Sequence, residues 1–116
     1  MINIEEIKKE IIERLQTLNP EKIILFGSYA WGIPDENSDL DLYVVTGDER
    51  IPLNYAEKRE IVRRVSSLIQ DLRRKLPIDL LVHTKKMSEK FFLLNSSFSR
   101  EILEKGMLIY GKRASR

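Results

Sequence analysis

Ten residues separate Gly27-Ser28 from Asp39-Leu40-Asp41, and the second group opens an apolar run continuing through Leu42, Val44 and Val45. A run of this kind reads as a β-strand. Alternate side chains of a strand share a face, so Asp39 and Asp41 present their carboxylates side by side. Two carboxylates at the mouth of an apolar strand cost free energy unless something compensates their charge. A divalent cation would do so. Gly-Ser ahead of a short turn offers what a phosphate needs: backbone N–H groups, a hydroxyl and no obstructing side chain. The pair of features points to chemistry on a nucleotide.

The rest of the composition narrows the setting. A chain of 116 residues fits one domain, expected over 1–116, and one that buries roughly 65% of its unfolded surface. Net charge is only +2, so the chain is no basic coat for nucleic acid, and direct nucleic-acid binding is not expected. There is no cysteine, hence no disulfide framework and no thiolate metal site. Apolar runs fall well short of the ~20 residues of a membrane span. Met1-Ile2-Asn3-Ile4-Glu5-Glu6 is acidic and helical in pattern, unlike a signal peptide. A cytoplasmic protein with no membrane partner is expected.

Asn3 with Glu6 resembles a capping box, followed by Ile4, Ile7, Ile11, Leu15 and Leu18 at helical spacing and by Asn19-Pro20 as a stop. Lys22 to Phe26 reads as a buried strand, Ser28 to Trp31 as a helical turn, and Gly32 to Ser38 as a loop. Asp39 to Thr46 is the second strand, and Gly47 to Pro52 a charged loop. From Asn54 to Lys75 a single helix is expected, with Ile61, Val62, Val65, Leu68, Ile69 and Leu72 on its apolar stripe. Ile78 to His83 is a third strand carrying Asp79. Ser88 to Leu94 and Ser97 to Lys105 read as short helices, Gly106 as a cap, Met107 to Tyr110 as an edge strand, and Gly111 to Arg116 as a frayed basic tail.

Strand, long helix, strand is a right-handed crossover unit, which makes the second and third strands parallel. Their starting ends, with Asp39, Asp41 and Asp79, then lie together. Gly27-Ser28 joins them if the first strand runs antiparallel to the second. Three carboxylates and a phosphate cradle outline a two-metal site for phosphoryl displacement with pyrophosphate leaving. Asp39 and Asp41 would hold metal. Asp79 would ligate the ion carrying the incoming hydroxyl and help deprotonate it. Gly27 and Ser28 would contact the triphosphate. Taken singly, each acid has an ordinary alternative: Asp39 as a loop cap, Asp41 as a solvent-facing edge residue, Asp79 as a strand start after proline.

Gly27-Ser28-Tyr29-Ala30-Trp31-Gly32 followed by Ser38-Asp39-Leu40-Asp41-Leu42 resembles the signature of the polymerase-beta-like nucleotidyltransferase superfamily, and the compact size is similar to its minimal (MNT) branch. The resemblance implies an α/β (α+β) fold, a small mixed sheet with helices packed mainly on one face. It implies Mg²⁺-dependent transfer of a nucleoside monophosphate, with two ions and with ATP or another NTP as donor. It implies catalytic and metal-binding roles for Asp39, Asp41 and Asp79 and nucleotide contacts at Gly27 and Ser28. It also implies a separate protein as acceptor: a HEPN-type helical toxin, with the MNT chain as antitoxin transferring AMP to a hydroxyl. Two other outcomes stay open, a binding antitoxin with an idle nucleotide site and a small-molecule nucleotidyltransferase. Trp31 stands where many members carry Arg; packing is its first reading and stacking near a base its second.

Other residues carry less. His83 is read as a surface or packing residue away from the acids, because a site of this kind favours oxygen ligands. Arg59, Arg63 and Arg64 fit a solvated helix face. Phe91, Phe92, Leu93 and Leu94 read first as core and second as a partner patch.

Overall fold

The computed structural model describes residues 3–32, 34 and 37–111. Helix α1 spans Ile4–Leu15 and is capped by Asn3, whose side chain accepts from the backbone N–H of Glu5 and Glu6. That satisfies two of the donors a helix start leaves open. Ile7, Ile11 and Leu15 form its buried stripe. A 3-10 turn at Gln16–Leu18 ends the helix, and Asn19 adopts a left-handed conformation with φ 52°.

Four strands form one mixed sheet: β1 (Lys22–Phe26), β2 (Leu40–Val45), β3 (Ile78–His83) and β4 (Met107–Gly111). Their order is β3-β2-β1-β4. β1 is antiparallel to both β2 and β4, and β2 is parallel to β3. The parallel pair is joined by α3 (Tyr55–Leu68) and the short α4 (Leu72–Lys75). The crossover expectation therefore holds, as does the antiparallel first strand.

Period-two alternation divides the core between the two sheet faces. Ile23, Leu25, Leu40, Leu42, Val44, Ile78 and Val82 pack with Ile7, Ile11 and Leu15 of α1 and with Val65, Ile69, Leu72 and Leu76. On the other face Ile24, Phe26, Tyr43 and Val45 pack with Ile102, and Leu81, Phe91 and Phe92 lie against them. The larger helical layer is on the first face. Helices α5 (Lys85–Leu93) and α6 (Ser97–Lys105) cover part of the second.

Four elements differ from the pattern reading. β2 begins at Leu40, leaving Asp39 just outside the strand. The helix expected over 54–75 is broken: Ile69 leaves helical geometry at φ −114°, ψ 15°, and its N–H reaches Ser66 O, three residues back, at 3.2 Å. Ile69 and Leu72 on either side of the break are both buried in the core, and Asp71 between them meets Arg14 of α1. Helix α5 starts earlier than expected because Thr84 caps it, accepting from the Met87 N–H at 3.3 Å. Of the expected frayed tail, Gly111 belongs to β4, and 112–116 lie outside the described residues.

Tyr43 is fully buried. Its hydroxyl donates to Ser88 Oγ at 2.9 Å and lies 2.9 Å from His83 Nδ1, so strand β2, strand β3 and helix α5 are tied at one buried point. His83 is thus a packing residue, at the end of β3 remote from Asp79. Burial, reinforced by the nearby Lys58 charge, pushes its pKa down to about 4. Tyr43→Phe keeps the ring and strands two polar partners. Urea unfolding is expected to show a loss of about 1–3 kcal/mol; a change within a few tenths would mean that water replaces the hydroxyl.

Candidate active site

Asp41 sits opposite Phe26 of β1 and beside Asp79 of β3. Its neighbours Leu40 and Leu42 point into the larger core, so Asp41 is delivered to the other face along with Tyr43. Asp79 lies between Ile78, buried in that larger core, and the α5–α6 face by the same alternation. The Asp79 carboxyl lies close enough for its charge to act on that of Asp41. Asp39 is exposed and immediately precedes the strand. Asp41 feels these neighbours: partial burial first, then the charges of Asp79 and Asp39, the Asp79 hydrogen bond and the charge of Glu101 raise its pKa to about 6.

Gly27 closes the same end of the sheet. Its φ is 75°, a conformation that L side chains rarely adopt. A Cβ placed there would fall inside the Asp41 carboxylate. Glycine is therefore required twice over, by dihedral angle and by space. Its carbonyl accepts from Ala30 N at 2.9 Å and Trp31 N at 3.3 Å, turning the chain into α2 (Ser28–Trp31). Tyr29 and Ala30 pack against the larger core and hold the turn in place. Gly27, Ser28, Asp39, Asp41 and Asp79 are thus gathered at one end of the sheet.

The donor set suits a hard divalent cation. It consists of carboxylate oxygens, with mutual repulsion that a cation would relieve. Among the described residues no three His, Cys, Asp or Glu side chains form a group that could hold a metal ion together. The arrangement is an open one, two adjacent carboxyls in register with a third acid alongside. A hard divalent cation bound there would draw the rest of its shell from substrate phosphates.

Glu101 was not a sequence candidate. Nothing in the α6 pattern distinguishes it from any exposed helical acid; only the packing of α6 over the second sheet face brings its charge to Asp41. Trp31 corrects an expectation: it is 53% exposed rather than packed. A groove of about 860 Å³ runs along the outer face of α3 past Tyr55, Arg59, Arg63 and Arg73, and none of Asp39, Asp41 and Asp79 lines it. Strand register marks the site here, and concavity does not.

The family described as polymerase beta, nucleotidyltransferase, matches residues 9–115. The chain belongs to that nucleotidyltransferase family. This nucleotidyltransferase is 32% identical over 112 residues, 94% of its length and 100% of the relative's, to a Methanocaldococcus jannaschii protein named provisionally as a protein adenylyltransferase. Its fold matches a toxin–antitoxin crystal structure with AMP-PNP at TM-score 0.58 and 24% identity, covering 91% of this chain and 74% of that one. It also matches a complex of a tri-AMPylated Shewanella oneidensis HEPN toxin with its MNT antitoxin, at TM-score 0.50 and 20% identity over 93% and 72% of the two chains. The nucleotidyltransferase fold is the expected one, and the chain is an enzyme of that class.

Two groups make opposite contributions to acid stability. The Asp41 pKa is raised from 3.8 to about 6, so the folded state binds the extra proton and gains stability as pH falls through that window. The His83 pKa is lowered from 6.5 to about 4, so the unfolded state binds the extra proton and stability is lost as pH falls from 6.5 towards 4. Urea melts without metal are expected to show the two partly cancelling. Asp41→Asn should raise stability at pH 7.5 by roughly 1 kcal/mol, after allowance for solvent screening, and leave a steeper acid loss. His83→Gln should reverse the slope. A lower stability at pH 7.5 for Asp41→Asn would contradict the repulsion.

Proposed function

We propose that this nucleotidyltransferase transfers AMP from ATP to a hydroxyl of a partner protein, acting as the cytoplasmic antitoxin of a HEPN-type toxin. The observation that carries the proposal is the register that sets Asp41 beside Asp79 and against the Gly27 turn. Support for the acceptor comes from the adenylyltransferase name of the archaeal relative and from the AMPylated toxin bound in one structural neighbour.

In this reading each residue takes the role that its position suits. Gly27 and Ser28 bind the triphosphate through the bare turn and the hydroxyl. Asp39, Asp41 and Asp79 would hold Mg²⁺, one ion or two, which when bound supplies neutralisation of phosphate charge and Lewis acidity. With a pKa of about 6, Asp41 is largely ionised at neutral pH and available as a ligand. Asp79, on the outer strand and exposed, is the acid placed to take the proton of an incoming hydroxyl. The bond broken is between the α- and β-phosphates; pyrophosphate leaves as the acceptor oxygen bonds to the α-phosphorus.

Mass spectrometry of a co-expressed HEPN partner tests this. Wild-type enzyme is expected to add AMP mass to the partner. Asp39→Asn with Asp41→Asn should slow transfer by about 10³-fold or more, in line with the several kcal/mol that bound metals contribute, while the fold is retained. Neutralisation of the toxin with no added mass, by wild type and double variant alike, would make the protein a binding antitoxin with an idle site. Transfer to an antibiotic-like hydroxyl instead of a protein would replace the acceptor.

A further inference from the structure

The acid end of the sheet has a second flank. β4 begins at Met107, opposite Leu25 of β1, and α6 ends at Lys105. Because β4 runs antiparallel to β1, the residues just before Met107 lie beside the exit of β1, where Gly27 is. The strand order β3-β2-β1-β4 therefore sets out, across one end of the sheet, Asp79, Asp41, the Gly27 turn and Lys105. Adjacent strands are about 4.8 Å apart, so β2 and β4 are separated by roughly 9.6 Å. A triphosphate laid across the turn from the acids would extend towards β4.

Lys105 is held in a defined place there. Its Nζ lies 5.0 Å from the centroid of the Trp31 ring, within the range of a cation–π contact. The Trp31 backbone is itself part of the turn, its main-chain N–H donating to Gly27 O at 3.3 Å. The indole is 53% exposed, so core packing does not account for it. Lys105 forms no ion pair among the described residues, although Glu101 and Glu104 share its helix. The C-terminal turn of α6 favours a cation at this position, but the ring decides where the ammonium sits. An ammonium in that state is a point charge well suited to phosphate oxygens.

We propose that Lys105, presented by Trp31, is the cation that receives the β- and γ-phosphates of the bound nucleoside triphosphate. Resting on the nucleotide role of Gly27-Ser28, this gives the site a polarity: acids at the end where the α-phosphate reacts, a cation at the end that leaves as pyrophosphate. It also gives Trp31 a function that packing does not. The indole keeps one face on the ammonium and holds it beside the turn, so that no carboxylate of α6 captures it.

Nucleotide binding, not turnover, is the test. Trp31 is the single tryptophan of the sequence, so its fluorescence reports directly on the neighbourhood of Lys105. Titration of the wild-type chain with ATP in the presence of Mg²⁺ is expected to change that fluorescence, and calorimetry to give a measurable affinity. Lys105→Met should weaken ATP binding about tenfold, the loss of one charge-assisted contact, and change AMP binding less than about twofold. Lys105→Arg should restore ATP affinity. Trp31→Ala should weaken ATP binding in the same selective way, and Trp31→Phe should do so less. Circular dichroism would check that each variant is folded, with Lys105→Gln as the replacement if Lys105→Met is not. Unchanged ATP affinity in Lys105→Met, or an equal loss for ATP and AMP, overturns the role of Lys105 and leaves the proposed function standing. No ATP binding by the wild type overturns both.

Discussion

Everything at the candidate site depends on the two-sided pairing of β2. Its neighbour β1 runs antiparallel to it and its neighbour β3 runs parallel. An antiparallel neighbour brings its exit to the entrance of β2, and a parallel neighbour brings its entrance there. The Gly27 turn and Asp79 arrive at Asp41 for those two reasons. The antiparallel pairing of β4 with β1 carries the same logic one strand further and delivers the end of α6. A slip of one residue in β2 would send Asp41 into the core under α1 and α3 and move Leu40 and Leu42 to the second face, so the cost of burying that carboxylate enforces the register that the site needs.

The arrangement is costly before any ligand is bound. Asp41 is partly withdrawn from water and faces three other acids, Asp79, Asp39 and Glu101, which is why its pKa rises to about 6. A carboxylate perturbed by burial and by its neighbours' charges is a candidate functional position. The cost is offset away from the site, in the alternating apolar residues of β2 that are fully buried on both faces and in the Tyr43–His83–Ser88 hydrogen bonds. Those bonds occupy the opposite end of β3 from Asp79. Stability and chemistry are thus separated along the same two strands.

The second sheet face is where prediction from pattern was least complete. Phe91 and Phe92 pack on Tyr43 as part of an aromatic group, but Leu93 and Leu94 are 82% and 79% exposed at the corner between α5 and α6. Four consecutive apolar residues cannot all face one way on a helix, and a sheet of four short strands covers only half of them. Phe98 instead leans on Phe26 and Phe91, fixing the start of α6 near the exit of β1.

Periodicity and residue chemistry alone determined the strands, the crossover, the Gly27-Ser28 turn and the candidacy of Asp39, Asp41 and Asp79. These are legible because each is local: alternation needs only neighbours in sequence, a turn needs only glycine's dihedral freedom, and two acids in an apolar run declare their own cost. Tertiary structure decided what depends on elements meeting across distance. It broke the 54–75 helix at Ile69 and set Asp71 against Arg14 of α1. It turned Trp31 outward beneath Lys105, a residue 74 positions later in the chain, and brought Glu101 to Asp41. None of these has a local signature, because an exposed helical Glu, Lys or Trp looks the same in sequence whether it faces solvent or a site. The difference lies in which helix docks on which end of the sheet, and that is set by the packing of buried side chains elsewhere.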